Sequence, residues 1–177
     1  MRGYAVIGLH SPKDPHNLGA VMRAAGNYAA AAVFVTGCRI VRHAADTMKA
    51  YRHIPLTHVS SLQSVIPYDC VPVAVDLIPG ARNLVNYTHP PRAFYIFGPE
   101  DGTLGRAVTD WCRDVIYIPT NRCMNLAATV NVVLYDRLSK SSHQPTFLKD
   151  TPDAPSLHHP LDSPSGCSSP RIDRPIQ

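Results

Sequence analysis

Between Tyr4 and Leu138 the chain alternates short, β-branched apolar runs with segments of helical periodicity, and that alternation restricts it to very few architectures. The runs Tyr4–Leu9, Ala32–Thr36, Val71–Asp76, Ala93–Phe97 and Val115–Ile118 read as strands, with a weaker one at Leu56–Val59. Most are continuously apolar rather than alternating, as strands are when both faces of their sheet are covered. Between them lie helical patterns at Leu18–Ala30, Ser60–Ile66, Leu104–Cys112 and Met124–Leu138. The first is the cleanest, with Val21, Ala24, Ala25 and Tyr28 on one face. Strand, helix and strand in succession predict an α/β fold with a mostly parallel sheet flanked by helices.

The pattern stops near Ser139. Beyond it come Pro145, Pro152, Pro155, Pro160, Pro164, Pro170 and Pro175 among Ser, His and Asp, with few large apolar side chains. Burial on that scale does not offset an ordering cost of ~1–2 kcal/mol per residue. The reading is a folded domain over residues 1–140 and a disordered Pro/Ser/His-rich tail over 141–177.

Charge divides along the same line. The net charge of +4 resolves into +5 for residues 1–140, mostly arginine, and −1 for residues 141–177. A basic, arginine-rich body suits a polyanionic partner. No apolar run reaches the ~20 residues that cross a bilayer, and Met1-Arg2-Gly3-Tyr4 leads straight into a strand without a cleavage site. A soluble, cytoplasmic protein without a membrane partner is expected. The five cysteines (Cys38, Cys70, Cys112, Cys123, Cys167) and nine histidines are dispersed, so neither a disulfide framework nor a metal site is expected.

Ligands of open α/β sheets bind at the carboxyl ends of the strands, and three segments there have unusual chemistry. The first, His10 to Gly19, leads into the helix that carries Arg23. Asn17 reads either as that helix's N-cap or as a site residue. Arg23, near the expected helix start, gains nothing from a dipole that favours anions there; it reads as a solvated surface arginine or a functional one. The second segment, Phe97-Gly98-Pro99-Glu100-Asp101-Gly102, is explicable as turn chemistry alone. Yet Glu100 is the only glutamate in the chain. The third runs from Ile118-Pro119 through Cys123-Met124-Asn125 into the last helix, where Asn125 is again a cap by position. Cys123 reads as a small buried residue rather than a nucleophile, since no partner histidine is identifiable.

Asn17-Leu18-Gly19 with Arg23 beyond, then Phe97-Gly98-Pro99-Glu100-Asp101-Gly102, then Ile118-Pro119 followed by Met124-Asn125-Leu126, in that order, closely resembles the SpoU (TrmH-type) branch of the SPOUT methyltransferases. The resemblance covers about Tyr4 to Leu138 and fits a minimal domain without an N-terminal extension. It implies what periodicity does not: a C-terminal deep trefoil knot, bound S-adenosylmethionine and a homodimer, the last also suggested by the apolar residues Leu126, Val130, Val133 and Leu134 of the final helix. It implies that Gly98, Gly102, Ile118, Cys123 and Met124 line the cofactor site and that Leu77 touches the adenine. Arg23 and Asn125 would face the transferring methyl, with Asn17 and Glu100 fixing the loops as part of the catalytic set. Many members have serine where this chain has Cys123, and a longer loop before it. The activity implied is 2′-O-ribose methylation of RNA, with tRNA the substrate ahead of rRNA; the alternative is a catalytically silent RNA-binding knot protein. A plain nucleotide-binding domain would need a Gly-x-Gly-x-x-Gly or phosphate-loop signature, which this sequence lacks.

Overall fold

The computed structural model describes residues 4–37 and 53–141. Residues 142 onward, nearly all of the expected tail, therefore lie outside the described residues. In chain order the elements are β1 (Tyr4–His10), α1 (Pro15–Asn27), β2 (Val33–Thr36), β3 (Leu56–His58), β4 (Val71–Val75), β5 (Arg82–Asn83), β6 (Arg92–Phe97), α2 (Arg106–Thr109), β7 (Asp114–Tyr117) and α3 (Leu126–Lys140). Single 3-10 turns occur at Gln63–Val65 and Leu84–Asn86. The strands form one sheet in the order β3-β2-β1-β6-β4-β7-β5, and every neighbouring pair is parallel. No helix among the described residues is long and apolar enough to cross a membrane.

Both faces of the sheet's centre are covered, which is why β1, β4 and β6 are largely apolar along their length. Ile7 and Leu9 of β1 and Tyr95 and Phe97 of β6 point to the face where α1 and α3 pack on each other. Their alternate neighbours Val6, Phe94 and Ile96 meet Leu62, Leu104 and Val108 on the other side. Gly8 shows how tight that second layer is. A Cβ there would lie 2.9 Å from the Phe94 ring and 3.2 Å from Leu62 Cδ1, and Phe94 is fully buried with an edge-to-face contact to Phe34. Overpacking of this kind costs about 1–3 kcal/mol. Gly8→Ala is therefore expected to lower the free energy of unfolding in denaturant by that amount, and an unchanged value would mean the layer can yield.

Several boundaries differ from the sequence reading, each for a local reason. α1 begins three residues earlier than expected, because Asp14, not Asn17, is its cap and Pro15 opens it. Asp14 Oδ1 accepts the His16 amide at 2.8 Å. Arg23 consequently sits in the middle of the helix rather than near its start, and the dipole argument no longer applies to it. The helix expected at Ser60–Ile66 shrinks to one 3-10 turn, since Ile66 precedes Pro67 and is extended (φ −59°, ψ 118°). The one expected at Leu104–Cys112 shrinks to α2, which starts at Arg106 because Gly105 takes φ +69°, ψ 167°, a conformation close to glycine-only. α3 starts at Leu126 because Asn125 is extended and caps it.

Leu126, Val130, Val133 and Leu134 are buried inside this chain's own core. The apolar residues of α3 that suggested a dimer are thus already covered, and Tyr135 is the large side chain α3 leaves exposed. The far end of α3 is fastened near the amino ends of the strands by a polar network. His89 Nδ1 accepts from Tyr95 Oη at 2.6 Å, and its Nε2–H donates to Asp136 Oδ2 at 2.8 Å. Asp136 also accepts from Lys140 at 2.7 Å. Arg137 donates to the carbonyls of Pro90 and Pro91, both at 2.7 Å, just before β6.

Candidate functional site

Three adjacent strands, β6, β4 and β7, end side by side, and the segments that follow them enclose a cavity of about 320 Å³. That volume is within the range of small-molecule sites, roughly 300–1,000 Å³. Its walls are Val75, Asp76 and Leu77 at the end of β4, Phe97 to Glu100 with Gly102 at the end of β6, Tyr117, Ile118 and residues 120–124 at the end of β7, and Leu126 and Thr129 at the start of α3. Leu77, Gly98, Gly102, Ile118, Cys123 and Met124 all line it. Leu77 presents an exposed apolar side chain. Cys123 is exposed as well, not the buried residue its size suggested. Thr120 Oγ1 donates to the Arg122 carbonyl at 2.8 Å and shapes the short third segment.

Glu100 joins this cavity to the segment after β1. Its carboxylate accepts from the Lys13 amide at 2.9 Å, the Asp14 amide at 3.4 Å and Asn17 Nδ2 at 2.8 Å. Lys13 and Asp101 add an ion pair beside it. Burial pushes the Glu100 carboxyl up, but the hydrogen bonds from Asn17, Lys13, its own amide and Asp14 outweigh burial and hold it below the ordinary value. Asn17 is therefore a tether across 83 residues of sequence, and Glu100 is the acceptor it reaches. In Glu100→Gln an amide N–H₂ would confront these donors. Exchange of the Lys13 and Asp14 amides should then quicken roughly tenfold, the scale of one net hydrogen bond at a solvated site. Unaltered exchange would show that the segment holds itself.

Arg23 and Asn125 are not in the cavity wall. Arg23 is exposed in mid-α1, with no hydrogen bond or ion pair among the described residues. Asn125 immediately follows the cavity residue Met124, and its Oδ1 accepts the Ala128 amide at 2.7 Å. Its cap role uses the side-chain oxygen and leaves Nδ2 without a partner among the described residues.

Sequence reasoning overlooked Asp76. It lines the cavity, and its carboxylate takes the Leu77 amide at 2.8 Å and the Leu104 amide at 2.7 Å. The available signal was an aspartate closing an apolar strand at its ligand-binding end.

The family described as SpoU rRNA Methylase matches residues 4–135. Among solved structures the chain resembles the SpoU methyltransferase AviRb from Streptomyces viridochromogenes in complex with AdoMet (TM-score 0.68, 18% identity, 77% of this chain and 60% of that one). It also resembles an AdoMet-bound rRNA methyltransferase from Sinorhizobium meliloti (0.69, 19%, 78% and 57%). A third likeness is to a structure concerning the 2-OH methylation of C/U34 on tRNA (0.67, 19%, 78% and 91%). The chain thus spans about three fifths of the length of the first two. It has no match among curated proteins.

Proposed function

This chain belongs to the SpoU rRNA Methylase family, and on that premise we propose that it methylates a ribose 2′-hydroxyl of RNA with S-adenosylmethionine as donor. The observation that carries the reading is the cavity walled by the ends of β6, β4 and β7, where all six residues that the family resemblance assigns to the cofactor come together. Two relatives of the same fold are bound to AdoMet. The walls suit such a guest: apolar surface from Leu77, Ile118 and Met124 for a purine, and exposed backbone at Gly98 and Gly102 for polar groups. When bound, the cofactor supplies a methyl group on a sulfonium, so the chain has only to hold the acceptor in line and stabilise charge on its oxygen.

Arg23 performs the second task. An arginine guanidinium does not deprotonate, so it acts as a cationic clamp on the 2′-oxygen or a neighbouring phosphate, not as a base. The bonds from Asn17 and the Lys13 and Asp14 amides to Glu100 fix the start of α1 against the cavity wall and so orient the helix that bears Arg23. Asn125 offers its Nδ2 beside the cavity while its oxygen caps α3.

Transfer RNA is the substrate class. The support is the likeness to the structure concerned with the 2-OH methylation of C/U34 on tRNA. The reading includes a trefoil knot, supported by the strand order. β6 lies between the earlier strands β1 and β4, and β7 between β4 and β5, so the last two strands among the described residues are both inserted between strands already laid down. It includes a homodimer too, for which Tyr135 on α3 and Val85 are exposed apolar contacts. Nucleosides of tRNA and rRNA from a strain lacking the gene test the substrate by mass spectrometry. Loss of one 2′-O-methylated nucleoside from tRNA is expected. Loss from rRNA would move the substrate, and no loss anywhere would favour a silent RNA-binding protein.

A further inference from the structure

Asp76 is a cavity residue with bonds to β7, to the turn after β4 and to the segment after β6. Its backbone amide donates to the Ile116 carbonyl on β7 at 2.9 Å. Its Oδ1 accepts the Leu77 amide, closing the turn after β4, and its Oδ2 accepts the Leu104 amide from the segment after β6. Leu104 is buried, and its side chain backs Gly98: a Cβ on Gly98 would stand 3.4 Å from Leu104 Cγ. A displacement of Leu104 would therefore be felt at Gly98. Since carboxylates accept amide hydrogen bonds more strongly than neutral oxygens do, this tether is a strong link between the two walls beyond the end of the β4–β6 ladder.

We propose that Asp76 is a positioning residue for the methyl donor: it holds the Leu77 wall and the Gly98–Leu104 wall at the separation the cofactor needs. The proposal rests on the reading of this cavity as an S-adenosylmethionine site. Asp76→Asn is the sharpest variant, being nearly isosteric. Its amide oxygen can keep one backbone donor, but its Nδ2–H₂ then confronts the other, so one wall is released. Calorimetry on the full chain should show S-adenosylmethionine binding weakened roughly 10–100-fold, the scale of a lost charge-assisted hydrogen bond. Turnover at saturating cofactor and affinity for RNA should stay near wild type, so that the effect falls on KM and not on kcat.

Equal cofactor affinity in wild type and Asp76→Asn would overturn the proposal while leaving the site assignment intact. So would a uniform loss of cofactor affinity, RNA affinity and thermal stability, which marks a general structural residue. A wild-type chain that binds no S-adenosylmethionine would remove the site assignment and the proposal together. If the variant does not fold, amide exchange at Leu104 in the wild-type chain decides. Slowing on addition of S-adenosylmethionine supports the tether as part of the site, and an unmoved rate contradicts it.

Discussion

Arg23→Ala should lower the rate of methyl transfer about 10²–10³-fold, equivalent to roughly 3–4 kcal/mol of transition-state stabilisation, while S-adenosylmethionine affinity stays within error of wild type. The separation follows from position. The cavity walls come from the segments after β4, β6 and β7, whereas Arg23 projects from mid-α1 into solvent with no partner among the described residues. Nothing on that helix consumes its charge, and the helix start is clamped by Glu100. Arg23→Lys should recover only part of the rate, because an ammonium cannot hold two oxygens in one plane. Single-turnover kinetics at saturating RNA, set beside RNA affinity, distinguish the roles. Rate loss without affinity loss fits the clamp, equal loss of both marks an RNA anchor, and near-normal turnover would make Arg23 a surface residue.

The second large effect concerns stability. His89 is almost wholly buried, its side chain 5% exposed, between Tyr95 and Asp136. Burial pushes the Tyr95 hydroxyl up to about 12, so it remains a donor. Burial also holds the His89 imidazole below its ordinary value, against the pull of the Asp136 carboxylate. The geometry suits the neutral ring: Nδ1 accepts the tyrosine proton and Nε2–H meets the carboxylate. A second proton would sit on Nδ1, facing the Tyr95 hydroxyl that already accepts from Arg137 at 3.2 Å. His89→Ala leaves the Tyr95 hydroxyl proton without its acceptor, takes one donor from Asp136 and opens a void. About 3 kcal/mol should be lost, near 10 °C in Tm.

The pH dependence of that contribution has a definite sign. Because the folded-state value lies below 6.5, the unfolded chain binds the proton first as pH falls. The contribution is intact above pH 6.5, declines below it and is gone once pH has passed through the folded-state value. His89→Ala should flatten this decline, leaving the slope from His10, which burial lowers as well. A variant as pH-sensitive as wild type would place the titration elsewhere.

What the sequence made legible was local. β1, β4, β6 and β7 are visible as apolar runs because a doubly covered parallel sheet leaves no polar alternation to blur them. The start of α1 was legible too, in Asp14 followed by Pro15, but Asn17 drew the cap assignment instead. Asn17 could not be understood locally, since its partner Glu100 is 83 residues away; the solitary glutamate was the one hint of that partnership. The Asp76–Leu104 bond leaves no local pattern either, as any strand-ending aspartate looks alike. β5 is two residues long, too short for periodicity to register. The insertion of β6 between β1 and β4 depends on long-range pairing that no window of sequence contains.

On the proposed function, this chain places a methyl group on a ribose 2′-oxygen of RNA. The direct measurement incubates purified protein with methyl-labelled S-adenosylmethionine and bulk tRNA, then hydrolyses the product in alkali. Alkaline cleavage requires a free 2′-hydroxyl, so a 2′-O-methylated residue survives in a dinucleotide. The label is predicted in alkali-resistant dinucleotides, and to appear about 10²–10³-fold more slowly when Arg23→Ala replaces the wild-type chain. Label in ordinary mononucleotides would mean a methylated base and contradict the proposed activity, as would no incorporation by a folded chain that binds the donor.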